Sequence, residues 1–572
     1  MDLIEKFIDG RTDFSSYDDF HQHCKLKLPE HFNFATDVVD YYAEKTPEKI
    51  ALVWCNDDGL EKIFTFSQLA NESIKAAVFL SNKGITAGDV VMLSLHRRYE
   101  YWIFILALHR LGAIALPVPS QLLKDDLEYR IKTSKTKMIV AVPHDDSINQ
   151  IEQAAGPETI LVAVNFCKDK WINFSLNDSD LCGGAAEVIG MSGGAAAYGA
   201  ESFPEPQISP ASPMIIYFTS GTAGEPKMVV HDYLYPLSHV ITAKYWQCVV
   251  PDGLHFSVAE TGWAKASWGK IYGQWIAGSA VFVYDRQTFS PERILEKVSK
   301  YKVTTFCANP TVYRYLLNHD FSDYDLSSVK HCCSAGEALP SDVAKTFKEK
   351  TGLTIYEGYG QSETSLITAN FCFDEMPAAM GKASPMYDIQ LIDDAGKICP
   401  VDEPGEIVLS LKNGHPAGLF TGYYKDEKLT AQVFKDGLYH TGDIAVKDKD
   451  GNFHFKGRKD DIIKSSGFRI SPYEVENVLN RHPAVFECAV AGEKDETRGQ
   501  IVVAFVVPAL GYTPSKNLEH ELISFMHKNT ALYKCPRKIE FVKELSKTYN
   551  GKISRRKGMA ENDGLNKDDK SE

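Results

Sequence analysis

The sequence has little that would staple or anchor it. Its 12 cysteines are scattered without a Cys-x-x-Cys pair, and only Cys332 and Cys333 are adjacent. No zinc-ligand spacing and no disulfide framework can be read from them, which places the chain in a reducing compartment. Long apolar runs are missing. The stretch from Tyr101 to Pro119 is broken by His109 and Arg110, too short and too interrupted to cross a bilayer. Positive charge is not in excess: 62 Lys and Arg against 76 Asp and Glu leave a net charge of −14. That excludes a general binder of nucleic acid or anionic membrane, although a local basic patch remains open. The opening Met-Asp-Leu-Ile-Glu-Lys has neither the apolar core of a signal peptide nor the acid-poor character of a transit peptide. A cytoplasmic protein without stable membrane insertion is therefore expected. There are no internal repeats.

What remains is an ordinary globular composition, 44% hydrophobic and 24% charged, over 572 residues. That length implies more than one domain, each able to bury a large core. Up to about Val164 the pattern alternates. Leu69 to Leu80 has helical spacing, and Val90–Leu95 and Met138–Val142 read as strands. The segment from Cys182 to Pro213 is rich in Gly, Ala, Ser and Pro and reads as a surface excursion. Between Val281 and Tyr356 strands (Val303–Cys307) and helices (Pro340–Glu349) alternate again. Tyr387 to His454 is mostly β in texture, as in Gly405–Leu411. A boundary is expected near Gly457–Asp460. Beyond it lie a helix over Pro472–Arg481, strands over Val485–Val490, Ile501–Val507 and Lys538–Val542, and a helical stripe of Leu518, Leu522, Phe525 and Met526. The expected fold is α/β. A large N-terminal domain (1–457) of layered α/β subdomains carries a β-rich subdomain, and a small α+β C-terminal domain (458–557) follows, then a polar tail (558–572).

Thr219-Ser220-Gly221-Thr222-Ala223-Gly224-Glu225-Pro226-Lys227 concentrates hydroxyls, glycines and a lysine. Glycines allow the backbone to approach an anion, and successive N–H groups can form a nest for phosphate. The segment is not a Walker A loop, because Pro226 precedes the lysine and Met228 follows it. Pro213–Phe218 leads in and Met228–Val230 leads out, both as strands. The alternative is a Gly/Thr hairpin that holds no ligand.

Further clusters follow in order: Ser334-Ala-Gly-Glu337, Tyr356-Glu-Gly-Tyr-Gly-Gln-Ser-Glu363, Tyr439-His-Thr-Gly-Asp443, Gly457-Arg458, Ser465-Ser-Gly-Phe-Arg469 and Gly551-Lys552-Ile553. Each alone could be turn chemistry. Together, from about residue 35 to Arg556, they resemble the acyl-adenylate-forming enzymes: acyl-CoA synthetases, luciferases and peptide-synthetase adenylation domains. Gly262-Trp263-Ala264-Lys265, Pro310–Tyr313, Tyr356–Gln361 and Tyr533–Arg537 carry a closer likeness to the medium-chain acyl-CoA synthetases. A Gly-Gly-x-Ser carrier-attachment pattern is absent, which disfavours a peptide-synthetase module.

The resemblance implies ATP, Mg²⁺ and CoA as co-substrates and cofactor, and a small-molecule carboxylate as the acid. It implies that Thr219 to Lys227 holds the β- and γ-phosphates and that Glu363 binds Mg²⁺. Gly336, Glu337 and Ala338, with Glu357, Gly358, Tyr359, Gly360, Gln361 and Ser362, would border adenine and the α-phosphate. Asp443 would accept from the ribose hydroxyls, with Arg458 nearby. Lys552 would be the catalytic lysine of adenylation; its alternative is a solvated tail lysine. Asp460 matches the hinge about which the C-terminal domain rotates between half-reactions. Ser466, Gly467 and Phe468 match the loop lining the thiol tunnel, and Arg469, Arg498, Lys534 and Arg537 match positions facing CoA phosphates. Trp263, Gly336, Gly358 and Gly360 would form the acyl pocket, although Trp263 also suits ordinary core packing. Acetyl-specific relatives carry tryptophan at the position of Gly360. Its loss is expected to open room for several methylenes, each contributing about 0.8 kcal/mol on burial. Transfer to an acceptor other than CoA is the alternative activity, and a non-catalytic nucleotide binder is a third.

Overall fold

The computed structural model describes residues 3–176, 206, 208–219, 225–373 and 379–545. The described chain divides into two compact units. One runs to Asp388 and takes in Leu411–Gly437; the other comprises Ile389–Ser410 and the described residues from Leu438 onward.

Among the described residues the larger unit holds a nine-stranded and an eight-stranded sheet. In the first, Ile50–Asn56, Ala280–Asp285, Leu254–Ser257, Thr305–Ala308, His331–Ala335 and Ile355–Tyr359 are parallel neighbours. The second is parallel through Ile114–Pro117, Val90–Ser94, Met138–Ala141 and Ile160–Val164. Val90–Ser94 is buried at every residue, as expected of a parallel strand covered on both faces. Pro213–Thr219 joins this sheet and turns back as the antiparallel strand Lys227–Asp232. Gly422–Tyr423 then pairs with Val229 and Val230 at the sheet edge. The helix expected at Leu69–Leu80 spans Phe66–Asn82 and starts at a capping box between Thr65 and Gln68, which satisfies two otherwise unpaired helix-start donors.

His109 and Arg110, which interrupt the apolar stretch, lie on the helix Glu100–Leu111, buried throughout. Both are accounted for inside the protein. Arg110 makes a fork to Asp40 at 2.7 and 2.6 Å and donates through Nε to Ser73 Oγ at 2.9 Å. Burial pushes His109 down to about 3, so it packs as a neutral ring against Tyr272.

In the smaller unit Pro404–Ser410, Leu438–Lys447 and Phe453–Arg458 form an antiparallel sheet. Ile463–Ser465 and Phe468–Ile470 make a short hairpin. Val485–Asp495, Gly499–Pro508 and Lys538–Phe541 make a three-stranded sheet beside helices Pro472–Leu479 and Lys516–Asn529. Leu518, Leu522 and Met526 of the apolar stripe are buried against Val475 and Leu479, so the stripe is core; Phe525 is only half-buried. No described helix is long and apolar enough to cross a membrane. Most of the Gly/Ala-rich 182–213 segment lies outside the described residues, as does the whole tail 558–572.

Replacing Arg110 by Met removes the fork while keeping most of the side-chain volume. It leaves the Asp40 carboxylate, a third exposed, without its partner. A loss of about 2 kcal/mol is expected by urea unfolding, and an unchanged midpoint would refute the structural role of this pair.

Candidate active site

The hairpin closes as the sequence suggests. Thr219 pairs directly with Lys227 across the two strands; Ser220, Gly221, Thr222, Ala223 and Gly224 lie outside the described residues. Glu225 is exposed at the mouth, and the Pro226 carbonyl accepts from Tyr129 Oη at 3.2 Å. Lys227 Nζ stands 5.3 Å above the Tyr423 ring. Tyr423 Oη in turn donates to Glu363 Oε1 at 3.0 Å. Lys227 and Glu363, 136 residues apart in sequence, thus meet at one tyrosine. The Glu363 carbonyl accepts from Phe420 N at 2.8 Å, and the Ser362 carbonyl from His231 Nε2 at 2.7 Å. Gln361 N donates to Thr364 Oγ1 at 3.0 Å. Burial pushes the fully enclosed His231 down to about 3, so its ring is neutral.

The parallel register places Ala335 opposite Gly358. It therefore brings Gly336, Glu337 and Ala338 beside Glu357–Tyr359, as the adenine-site reading requires. Gly336 has φ +102°, a left-handed conformation that suits glycine. Lys265 Nζ donates to the Ala335 carbonyl at 2.5 Å and lies 3.7 Å from where a Cβ on Gly336 would sit. Glu337 Oε2 accepts from Thr311 Oγ1 at 3.2 Å. Glu357 is buried, and desolvation pushes its carboxyl up to about 8, opposed by a backbone donor at Leu339.

The position of a Cβ on Gly360 is crowded. A Cβ there would come within 2.4 Å of the Ser365 carbonyl oxygen and 2.5 Å of Trp268 Cη2. At Gly358 it would meet Trp246 Cε2 at 2.5 Å. Trp246 and Trp268 are buried and cross edge to face at 6.2 Å. The glycines are thus packed at the Cβ position by the Trp246 and Trp268 indoles from elsewhere in the chain. Trp263 is half-buried and stands outside the buried core, while its neighbour Gly262 is pressed against the backbone of Val118 and Pro119.

In the smaller unit Asp443 pairs across the sheet with Arg458. Arg458 Nη1 lies 3.4 Å from Asp443 Oδ1, and its Nε lies 3.2 Å from Asp460 Oδ1. Ser466 and Gly467 turn the hairpin with φ +49° and +84°. Ser466 N donates to the Arg498 carbonyl at 2.9 Å, and Arg498 Nη1 to Ser466 Oγ at 3.3 Å. Phe468 stacks on Tyr533 at 4.3 Å, both exposed. Arg469 pairs with Asp394 at 2.6 Å and Lys534 with Glu474 at 2.6 Å, while Arg537 is exposed. Lys552 lies outside the described residues.

Tyr423, His231, Trp246 and Trp268 were not singled out from sequence, and Lys265 only as the end of the Gly262–Lys265 likeness. Tyr423 follows a glycine in Gly422-Tyr423-Tyr424, and Trp268 lies five residues past Trp263; neither spacing names a partner 60 or more residues away.

The profile of the family described as AMP-binding enzyme matches residues 39–424. The chain belongs to that family. The profile of the AMP-binding enzyme C-terminal domain matches residues 474–552. Acyl-coenzyme A synthetase ACSM3, mitochondrial, of Homo sapiens is 37% identical over 570 residues, covering 96% of this chain and 93% of that protein. Acyl-coenzyme A synthetase ACSM4, mitochondrial, of Mus musculus is 38% identical over 554 residues, covering 94% and 92%. Among solved structures, an anthranilate CoA ligase, AuaEII, in complex with anthranoyl-AMP superposes with a TM-score of 0.80 at 28% identity, covering 93% of this chain and 97% of that one. The acyl-CoA synthetase of Brucella canis gives 0.70 at 29% identity, covering 95% and 98%.

Two outcomes are expected of this AMP-binding enzyme. Glu357 holds its proton in the fold up to about pH 8, against an ordinary value of 4.5. The unfolded chain releases that proton first, so stability falls as pH rises from about 4.5 to 8. Glu357→Gln removes this loss, and the gap between the two urea midpoints widens toward pH 8; parallel pH profiles would refute it. Gly360→Ala, driven into the Ser365 carbonyl and Trp268, costs about 1–3 kcal/mol by the same measurement; an unchanged midpoint would show that the site yields.

Proposed function

We propose that this chain joins a short- to medium-chain carboxylic acid to CoA in two steps. The carboxylate oxygen attacks the α-phosphorus of ATP, and pyrophosphate leaves as the acyl-AMP anhydride forms. The CoA thiolate then attacks the acyl carbonyl, forming the thioester and expelling AMP. The observation that carries the reading is the convergence of Lys227 and Glu363 on Tyr423 beside the phosphate hairpin.

Both reactants of the first step are anions, so neutralisation and alignment dominate the barrier. Thr219 to Lys227 supplies donors and one cation to the leaving pyrophosphate. Glu363 is a single carboxylate beside the hairpin, and Mg²⁺ in nucleotide sites is characteristically held by one or two carboxylates with the substrate phosphates. Bound there, Mg²⁺ supplies charge neutralisation on the phosphate oxygens. Lys552 places an ammonium between the carboxylate and the α-phosphate. Asp443 accepts from ribose hydroxyls, with Arg458 holding its carboxylate from the neighbouring strand. For the second step Ser466, Gly467 and Phe468 line the thiol path, with Asp460 as hinge. Arg469, Arg498, Lys534 and Arg537 meet CoA phosphates; Arg469 and Lys534 first exchange Asp394 and Glu474 for them.

Chain length is set by Trp268 and Trp246, which stand against Gly360 and Gly358, with Trp263 as a further wall. The compartment inferred is a reducing one, the cytoplasm in the first instance, on ten of the eleven cysteines among the described residues being free, all but Cys167. Cell fractionation decides between it and the mitochondrion that the names of the relatives give for those proteins.

The direct test is mass spectrometry on one mixture of straight, branched and aromatic acids with ATP, Mg²⁺ and CoA. Acyl-CoA from acids longer than acetate is expected; acyl-AMP without acyl-CoA would transfer the reading to another acceptor. Lys552→Ala is expected to slow adenylate formation by about 100-fold or more while sparing thiolysis of supplied acyl-AMP. Equal loss in both half-reactions would overturn the role of Lys552.

A further inference from the structure

One face of the phosphate-hairpin strand does more than carry Lys227. Side chains two apart along a strand share a face, so Lys227, Val229 and His231 of Lys227–Asp232 point the same way. Tyr423 sits directly opposite Val229 in the adjacent antiparallel strand and so lies on that face too. These side chains meet a single short loop. Tyr423 Oη reaches Glu363 Oε1 at 3.0 Å, and His231 Nε2 reaches the Ser362 carbonyl at 2.7 Å. The backbone closes the same loop from the other side. Phe420 N donates to the Glu363 carbonyl at 2.8 Å, and Ser365 N to the Gly418 carbonyl at 2.9 Å. Thr421 N donates to Val230 at 2.9 Å, tying the two anchoring segments together.

His231 is entirely buried and stacks on Tyr235 at 3.7 Å with planes 17° apart. Among the described residues its Nδ1 has no hydrogen-bond partner. A buried imidazole that leaves one nitrogen unsatisfied is a costly way to fill space. Its Nε2 meets the carbonyl immediately before Glu363.

The geometry points to His231 and Tyr423 as a pair of positioning residues that lock the Glu363 carboxylate in register with Lys227, so that the phosphate grip and the metal-holding carboxylate move as one piece. His231 fixes the backbone at Ser362, and Tyr423 fixes one carboxylate oxygen. Neither touches substrate. The inference rests on the reading of Glu363 as the carboxylate that holds Mg²⁺. Partners that orient a metal-holding group characteristically change metal affinity by 10- to 100-fold when removed.

The test uses the full chain and four variants: His231→Leu, His231→Gln, Tyr423→Phe and Glu363→Gln. Mn²⁺ with a non-hydrolysable ATP analogue is titrated by water-proton relaxation, and pyrophosphate release is measured against Mg²⁺ concentration. His231→Leu and Tyr423→Phe are each expected to weaken Mn²⁺ binding about tenfold and to raise the half-saturating Mg²⁺ by a similar factor. Thiolysis of supplied acyl-AMP should fall far less. His231→Gln, whose amide can donate to Ser362, should recover most of the loss. Unchanged Mn²⁺ binding in Tyr423→Phe, or a His231→Gln as impaired as His231→Leu, would overturn the positioning role. If His231→Leu does not fold, Tyr423→Phe, which loses one hydroxyl, decides alone. Glu363→Gln separates the two claims: Mn²⁺ binding unaffected there removes the metal reading itself, whereas its loss there with Tyr423→Phe indifferent removes only the lock.

Discussion

The antiparallel register between Pro213–Thr219, Lys227–Asp232 and Gly422–Tyr423 is the constraint on which the nucleotide half of the site depends. Side-chain direction in a strand has a period of two, so a slip of one residue would turn Lys227 and His231 to the other face together. The register is fixed from both sides by burial: Ile215, Ile216, Tyr217, Val229 and Val230 are core residues. The same apolar packing that stabilises the sheet therefore aims its charged residue. A parallel ladder provides the matching constraint for the adenine side, where Ala335 opposite Gly358 sets two glycine-containing loops at the ends of neighbouring strands, the edge at which α/β sheets bind ligands.

Much of the architecture was legible from the sequence because its signals are local. The strand pair flanking the phosphate loop, the helices near residues 66–82 and 341–351 and the small α+β segment after residue 472 each announce themselves by periodicity and capping. Boundaries moved by a few residues: the strand expected at Val303–Cys307 is Thr305–Ala308, because Val303 belongs to the turn that closes the preceding helix. The motifs stood out because they concentrate glycine, hydroxyl and charged residues at short spacing. Long-range complements did not. Nothing near Glu363 in sequence names Tyr423 or His231, and nothing near Gly360 names Trp268. Absence of a side chain at Gly360 is not the same as empty space next to its Cα, because close packing brings Trp268 there from another segment.

Charge is handled differently in the two units. In the larger one burial keeps His109, His231 and Glu357 neutral, while the buried Arg110 keeps its charge against Asp40. In the smaller one ionisable groups are paired and partly exposed, as at Arg458, Arg469 and Lys534. Such exposed pairs contribute little stability each. They are correspondingly cheap to exchange for another anion.

The contact of Gly358 with Trp246 and of Gly360 with Trp268 also restricts how these two positions can change over generations. Enlarging Gly358 first forces a carbon into the Trp246 indole, a side chain that substitution can shrink. At Gly360 the nearest atom is the Ser365 carbonyl oxygen, which no change of indole removes. The order of substitutions therefore matters at 358, where a reduced tryptophan comes first, whereas 360 is closed by the backbone itself.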